Sequence, residues 1–252
     1  MSELLVATEG NVRFLTLNRP EKRNALNDAL ISGLKSALND ADKNDDIRAI
    51  VIRGSGKDFC SGADLSALQK IADATYEENL EDARSLAELF SIIRNVKVPV
   101  IAAVHGRALA GGCGLATACD LVVSTKTARF GYPEVRIGFV PAIVMAILRR
   151  NLSEKRAFEM ITQGFEFSAQ EALEMGLINR VFENDTFDAA VTDYLSVYEN
   201  VSRSAVILSK RLLYDMDSLS FEYAMEAGAK INAEARMTDD CRAGIARFLE
   251  KK

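Results

Sequence analysis

Histidine and cysteine are scarce in this 252-residue chain, and their scarcity limits the chemistry that the chain can support. The single histidine is His105, and the four cysteines are Cys60, Cys113, Cys119 and Cys241. The cysteine spacings match no zinc-binding pattern. A cysteine nucleophile would need His105 close by and a third, orienting group, and the sequence identifies no such group. We therefore expect reduced thiols without a metal, and a histidine that ends a strand and makes a structural hydrogen bond in the core.

Long apolar runs and an excess of basic residues are also absent. No window approaches 18 uninterrupted apolar residues, so we expect no membrane span. The first residues lack the basic and apolar regions of a signal peptide, which favours a cytoplasmic location. The net charge of −5 argues against a general nucleic-acid surface, so an anionic ligand would need a local basic patch. Hydrophobic residues make up 48% of the chain, enough for a substantial globular core.

Apolar strands and amphipathic helices alternate through the first half of the chain. Strands are predicted at residues 12–17, 47–52, 98–104 and 121–123. Helices are predicted after the capping residue Asn27, at 76–94 and at 115–119. Strands that are separated by helices need crossover connections, so the pattern predicts an α/β fold with a largely parallel sheet.

The pattern becomes helical beyond about residue 140. Helices are predicted at residues 141–150, 153–162, after a capping box at 168–171, and at 203–216, 220–235 and 238–251. No strand precedes the last three helices. We therefore divide the chain into a core, residues 1–197, and a C-terminal helical region, residues 198–252, that packs on the core or on a neighbouring subunit.

Two glycine-bearing turns, at residues 59–65 and 105–114, each follow a predicted buried strand. Each turn places backbone N–H groups at the edge of a sheet where its strands end. Two such groups that donate to one carbonyl oxygen would form an oxyanion hole. In the second turn Ala110, Gly111 and Gly112 precede a helix, and the first N–H groups of a helix have no internal partner. Ala63 could supply the opposing N–H. Glu134 follows the second turn by 20 residues and completes a candidate active site.

The glycines do not fit the common nucleotide or esterase motifs. Gly106 and Gly111 have the spacing of a P-loop, but Gly112 and Cys113 stand where that motif needs Lys and Ser or Thr. Both turns lack the dinucleotide fingerprint, and the chain has no Gly-x-Ser-x-Gly elbow. A purely structural role for the glycines, in tight turns and close helix–strand packing, stays open.

The segments at residues 18–26, 59–65, 108–120 and 130–138 together resemble the crotonase superfamily, the enoyl-CoA hydratase/isomerase enzymes. Residues 168–181 resemble a further stretch of that family, so the similarity runs along nearly the whole chain. The resemblance implies a spiral of ββα units followed by an all-helical trimerisation region. It also implies a homotrimer or a dimer of trimers, a coenzyme A thioester as substrate, and no prosthetic group.

The resemblance assigns roles to individual residues. The N–H groups of Ala63 and Gly111 would be the oxyanion donors, and Glu134 would be the catalytic carboxylate. The implied substrate and CoA contacts are Lys22, Arg23, Ala25, Ser61, Asp64, Leu65 and Gly112. Arg19, Lys22 and Arg23 would form the basic patch for the CoA phosphates, although charges of this kind can also simply be solvated.

The chain departs from the family pattern in its number of carboxylates. Gly114 stands where the two-carboxylate hydratases carry a second glutamate, and Ala142 stands where dienoyl-CoA isomerases carry an acid. One carboxylate suffices to shift a double bond from C3 to C2, which favours isomerisation. Residues 138–145, in contrast, are similar to a hydratase branch that includes methylglutaconyl-CoA hydratase-like members.

The leading hypothesis is the hydration or dehydration of a 2-enoyl-CoA. The substrate could be branched, as methylglutaconyl-CoA is. A second acid could come from Glu77, Glu78 or Glu81, unless these residues only form the polar face of a helix. The next hypothesis is a Δ3-Δ2 enoyl-CoA isomerase with Glu134 as the sole proton shuttle. A third, of another class, is a non-catalytic acyl-CoA-binding scaffold. A pure binder has no need for Glu134 beside the oxyanion donors.

Overall fold

The computed structural model describes residues 2–64, 69 and 72–250. Within these residues lie nine strands: β1 (Leu4–Glu9), β2 (Val12–Leu17), β3 (Ala49–Gly54), β4 (Val100–Val104), β5 (Arg107–Leu109), β6 (Leu121–Thr125), β7 (Arg129–Gly131), β8 (Glu166–Ser168) and β9 (Arg180–Phe182). The helices of the same residues are α1 (Asp28–Asp42), α2 (Tyr76–Asn95), α3 (Gly111–Ala118), α4 (Ala142–Asn151), α5 (Glu154–Gln163), α6 (Ala169–Glu174), α7 (Phe187–Asn200), α8 (Arg203–Asp215), α9 (Phe221–Met237) and α10 (Asp239–Glu250). Among these described residues, no helix combines the length and the apolar character that crossing a membrane requires.

Two sheets organise the fold. The main sheet has the strand order β1-β2-β3-β4-β6-β9, and all of its pairs are parallel except β1 with β2. The smaller sheet has the order β5-β7-β8. Two strands followed by a helix recur along the chain, as in β1-β2-α1 and β4-β5-α3. The expected α/β fold of ββα units with C-terminal helices is therefore confirmed.

Both faces of the main sheet are buried because successive strand residues point to opposite sides. Leu15 and Ile50 belong to the face that packs with α1. That helix begins where the Asn27 side chain accepts a hydrogen bond from the Leu30 N–H, as the sequence predicts. Phe14 and Val51 lie on the opposite face and pack against α7.

Most of the predicted elements are present, with shifted ends. The strand at 12–17 is confirmed, and so is the capping box at 168–171. The helix predicted at 115–119 begins four residues earlier, at Gly111. The glycines allow its first turn to pack directly against the backbone of Cys60. The sequence does not predict α7, β1 or the three-residue strands β5, β7, β8 and β9. Three residues are too few to show an alternating pattern.

The C-terminal helices are attached to the core unevenly. The ammonium of Lys210 in α8 donates to the Asp120 carboxylate and to the carbonyl oxygens of Ile93 and Val98, at 2.7–3.1 Å. Every side chain of α9 and α10 remains at least partly exposed. The exposed apolar side chains of these two helices include Phe221, Tyr223, Met225, Ile245, Phe248 and Leu249. The predicted division at residue 198 falls inside α7 and stays a prediction.

Candidate active site

The two glycine-bearing turns lie against each other. Cys60 forms an isolated parallel bridge with Ala108, and its carbonyl oxygen accepts the Leu109 N–H at 3.0 Å. A Cβ on Gly112 would overlap that same carbonyl oxygen, so only glycine allows α3 to begin this close to the first turn. A Cβ built on Gly62 would lie 3.5 Å from the Gly111 nitrogen. The expected convergence of the two turns is therefore present.

Two backbone N–H groups are left unused where the turns meet. The flanking residues of Ala63 are tied to a neighbouring segment, since the Gly62 oxygen accepts the Leu26 N–H at 2.7 Å and the Asp64 N–H donates to the Leu26 oxygen at 3.0 Å. Neighbouring N–H groups of an extended chain point in opposite directions. Within the described part of the chain, the Ala63 N–H and the Gly111 N–H, which begins α3, have no hydrogen-bond acceptor. Both donors are therefore available to a ligand oxygen.

Ala110 precedes α3 in a strained backbone conformation. Its φ of 49° with ψ of −128° lies outside the regions that a residue with a side chain normally adopts. Its N–H donates to the Gly131 oxygen at 2.9 Å, and this hydrogen bond holds the residue in place. Strain of this kind costs about 1–3 kcal/mol and concentrates at functional sites. Here it sets the direction of the following Gly111 N–H.

The smaller sheet links the segment that carries Glu134 to the second turn. Leu109 of β5 pairs with Gly131 of β7, and Glu134 follows three residues later in the short 3-10 helix Pro133–Ile137. Among the residues that the structure describes, no hydrogen-bond partner reaches the buried Oε2 atom of Glu134. Burial raises the pKa of this carboxyl, and a hydrogen bond from its own backbone N–H opposes that rise. An unpaired carboxylate oxygen with a raised pKa is suited to accepting and returning a proton.

Tyr132 precedes Glu134 by two residues, and the sequence does not single it out. It is fully buried, and its hydroxyl lies 3.1 Å from Thr117 Oγ1 of α3. Burial raises the pKa of Tyr132 and of the neighbouring Cys113 thiol, and the charge on Glu134 adds to both rises. Because burial raises the pKa of Cys60 and Cys113 to about 12, both are neutral thiols rather than nucleophiles. The Tyr132 hydroxyl is therefore neutral at physiological pH and contacts Thr117 of α3.

The position that would carry a second glutamate is filled by apolar side chains. A Cβ on Gly114 would lie 2.7 Å from Val144 Cγ2 of α4 and 3.2 Å from Phe90 Cζ of α2. Val144 and Phe90 are themselves buried. The alternative acids Glu77, Glu78 and Glu81 are exposed at the start of α2, and the Glu78 side chain bonds back to Thr75 as a helix cap. Of the candidate acids, Glu134 is therefore the one with a buried carboxylate oxygen that has no partner among the described residues.

A buried polar cluster holds the loop that precedes α1. Arg19 donates to the Ala25 oxygen and to the Asp64 carboxylate, both at 2.6 Å, and lies 3.2 Å from Glu3. Asn24 is fully buried at φ 54°, and its side-chain amide donates to the carbonyl oxygens of Ser55 and Asp58. Arg19 therefore has a structural role, and the prediction that it forms part of the basic patch is wrong.

The remaining residues expected to contact CoA have different exposures. Lys22 and Arg23 are exposed, whereas Ala25, Asp64 and Gly112 are buried and Ser61 is half-buried. The Ser61 N–H donates to the Arg23 oxygen at 3.0 Å, so the first turn and the basic loop are adjacent. Leu65 lies outside the described residues. The binding roles of all seven residues stay predictions.

His105 follows β4, and its Nε2 lies 3.0 Å from the Gly56 oxygen. It is half-buried. The expected hydrogen bond is therefore present, but it lies outside the core. No group of three or more potential metal ligands occurs in the described residues.

Comparisons with known proteins extend over nearly the whole chain. A sequence model of the enoyl-CoA hydratase/isomerase family matches residues 7–252. A Thermus thermophilus protein that carries an enoyl-CoA hydratase name is 39% identical over 247 residues, which cover 97% of this chain and 96% of that protein. The 2,3-dehydroadipyl-CoA hydratase of Escherichia coli is 34% identical, with 100% and 97% of the two chains covered. The crystal structure of a Mycobacterium smegmatis enoyl-CoA hydratase superposes with a TM-score of 0.95 at 34% identity, covering 99% of this chain and 97% of that one. The chain belongs to the enoyl-CoA hydratase/isomerase family.

Proposed function

We propose that this chain hydrates a 2-enoyl-CoA thioester, and catalyses the reverse dehydration, with Glu134 as its acid–base group. The unpaired buried oxygen of Glu134 is the observation that carries the proposal, and the two unused backbone N–H groups where the turns meet support it. The names of the relatives support hydration, since both the Escherichia coli and the Mycobacterium smegmatis proteins are hydratases.

The reaction follows from where the charge develops. The thioester oxygen accepts hydrogen bonds from the Ala63 and Gly111 N–H groups, which stabilise the negative charge of the enolate. The ionised Glu134 takes a proton from water as the water oxygen bonds to C3. Glu134 then returns that proton to C2, so one molecule of water has been added and the carboxylate is regenerated.

The packing at Gly114 favours isomerisation as a second candidate function. Val144 and Phe90 occupy the space of a second carboxylate, and moving a double bond from C3 to C2 needs only one. In that reaction Glu134 would remove a proton from C2 of a 3-enoyl-CoA and deliver it to C4. The same two N–H groups would hold the intermediate enolate.

The CoA moiety would lie along the basic loop. Lys22 and Arg23 are exposed and adjacent to Ser61 of the first turn, which supports a role in binding the CoA phosphates. Ala25, Asp64, Leu65 and Gly112 would frame the pantetheine and thioester. Asp64 could take part only through its backbone, because its carboxylate is buried against Arg19.

A homotrimer, alone or paired into a hexamer, would cover the C-terminal helices. The apolar side chains of α9 and α10 include Phe221 and Phe248, which are 76% and 65% exposed in the single chain. Exposed apolar patches of this kind mark interaction surfaces. Deletion of residues 200–252 should give monomers or aggregates in size-exclusion chromatography with light scattering. A soluble trimer after that deletion would contradict this assignment.

The experiment that tests the function incubates the pure protein with crotonyl-CoA, 3-methylglutaconyl-CoA and a 3-enoyl-CoA. Absorbance and mass spectrometry follow the products. A mass gain of one water on a 2-enoyl substrate supports hydration, whereas conversion of the 3-enoyl substrate at constant mass supports isomerisation. CoA binding without conversion of any substrate would favour a non-catalytic role.

The matched variants are Glu134→Gln and Glu159→Gln. Glutamine keeps the shape of Glu134 but cannot carry a proton, so we expect at least a hundredfold loss of kcat with CoA binding retained. Glu159 is on α5, where it pairs with Arg156 at the surface, and its replacement should leave kcat unchanged. Full activity in Glu134→Gln would refute the assignment.

A further inference from the structure

One face of the main sheet changes character where its parallel strands end. Phe14 and Val51 are paired in the register of β2 and β3 and lie on the face that packs against α7. Two residues further along, the same face carries Thr16 and Arg53, which are also paired. Since residues i and i+2 of a strand share a face, the apolar face becomes polar at the carboxyl ends of the strands.

A cleft of about 770 Å³ opens at this polar edge. Its wall is built from the ends of β2, β3, β4 and β6, the turn at residues 54–57 and the first residues of α7. Ligands of open α/β sheets bind outside the carboxyl ends of the strands. Small-molecule sites typically have volumes of about 300–1,000 Å³, so the cleft is of a suitable size.

Two contacts hold the Arg53 side chain in this cleft, and part of its guanidinium has no hydrogen-bond partner among the residues that are described. Its Cζ lies 4.7 Å from the centroid of the Phe14 ring, and its Nε donates to Thr16 Oγ1 at 3.0 Å. Among residues 2–64, 69 and 72–250, this bond to Thr16 is the one hydrogen bond or ion pair that the Arg53 side chain makes, so its terminal nitrogens have no partner there. A planar guanidinium fixed in this way is suited to bidentate binding of a phosphate.

Other groups around Arg53 suit the same ligand. Lys57 is exposed on the adjacent turn and lines the cleft. Thr125, at the end of β6, also lines it and is only 4% exposed. In the described part of the chain nothing bonds the Thr125 Oγ1, and a buried hydroxyl without a partner is costly. The hydroxyl of Thr125 would gain a partner from a bound ligand.

Acidic and other polar side chains also line the cleft. They are Glu9, Asp188, Asn184 and Thr192. The two carboxylates would accept hydrogen bonds from hydroxyl groups of a ligand whose anionic end lies at Arg53. A ligand with one phosphate and a hydroxylated body would use both kinds of group.

We propose that this cleft is a second binding site, for a phosphate monoester of sugar-phosphate or mononucleotide size. Arg53 is its principal phosphate-binding group, with Lys57 and Thr125 as further contacts. The site is distinct from the acyl-CoA site of the proposed function. Within the described residues, neither Ala63, Gly111 nor Glu134 lines the cleft.

Isothermal titration calorimetry on the full-length protein tests this site. The probes are AMP, ribose 5-phosphate, inorganic phosphate and adenosine, in a buffer without phosphate. We expect the two phosphate esters to bind more tightly than inorganic phosphate, and adenosine to bind least. AMP binding tighter than ribose 5-phosphate would identify a nucleotide, and the reverse order a sugar phosphate.

Three variants assign the binding to the cleft. Arg53→Gln should weaken the binding of the esters about tenfold or more, since it removes a charge-assisted hydrogen bond. Thr125→Val keeps the side-chain shape and should weaken it several-fold. Arg156→Gln, on the surface of α5, should leave it unchanged.

Three results would overturn the proposal. The first is the absence of binding heat for every phosphate probe at millimolar concentration. The second is equal affinity in the wild type and in a folded Arg53→Gln variant. The third is displacement of the esters by saturating CoA, which would make the cleft part of the CoA site.

Discussion

The packing around Gly114 leads to a stability prediction whose sign can be worked out. Gly114 is inside α3, where alanine would normally stabilise a helix by roughly 0.5–1 kcal/mol relative to glycine. The new methyl group would, however, lie 2.7 Å from Val144 Cγ2 and 3.2 Å from Phe90 Cζ. Overpacking of a filled core costs about 1–3 kcal/mol. Because both neighbours are buried and a contact of 2.7 Å forces movement, we expect Gly114→Ala to lower the free energy of unfolding by about 1–2 kcal/mol.

Val144→Ala provides the test of this cause. Alone, it removes two buried methyl groups and should cost about 2 kcal/mol. In the double variant the alanine at residue 114 occupies the vacated space. The double variant should therefore be more stable than the sum of the two losses predicts, by about 1 kcal/mol or more.

Urea denaturation at fixed protein concentration measures these differences. Far-ultraviolet circular dichroism is the appropriate signal, because the chain contains no tryptophan. Additivity of the two single losses to within about 0.5 kcal/mol would refute the reasoning, as would a Gly114→Ala variant more stable than the wild type.

Three further predictions concern charged groups. Burial raises the pKa of Glu134 and so disfavours its ionised form in the folded state. Glu134→Gln should therefore have a higher Tm than the wild type at neutral pH. The difference in Tm should disappear as the pH falls through the raised pKa, because the wild-type carboxyl is then protonated. Lys210→Met should cost about 3 kcal/mol in urea denaturation, because it leaves the partly buried Asp120 without its counter-ion. Hydrogen bonds from Ser202 and Ser204 lower the pKa of Asp240 from 3.8 to about 2. The wild type should therefore have a higher Tm than Asp240→Asn above pH 3.8, and scans at lower pH should show this difference disappearing toward pH 2. A constant difference across that range would contradict the assignment.

The strands and helices of the core could be predicted because their patterns are long. Strand β2 is a run of six residues of which four are apolar and buried, and α1 combines a capping residue with a regular apolar face. The three-residue strands could not be predicted, since their pairing depends on partners elsewhere in the chain. Helix α3 begins at Gly111 because of its contact with Cys60, which a helix propensity cannot indicate.

Part of the candidate site could likewise be predicted from the sequence, and part could not. The turns carrying Ala63 and Gly111 were predicted to converge because both follow strands of one sheet. The state of Arg19 could not be predicted, because the sequence does not reveal that Asp64 and Glu3 surround its guanidinium. The closure of the Gly114 position also depends on side chains from two distant helices.

The bridge between Leu26 and Ala63 has a consequence for the order in which the protein folds. One candidate oxyanion donor is fixed by a loop from the N-terminal part of the chain, and the other by the start of α3. Contacts between such distant segments close large loops, and loop closure slows folding. Native-state hydrogen exchange should accordingly find the loop around Asn24 opening at lower free energy than the central strands. Catalytic competence would then be the last property the chain acquires as it folds, and the first it loses under mild denaturation.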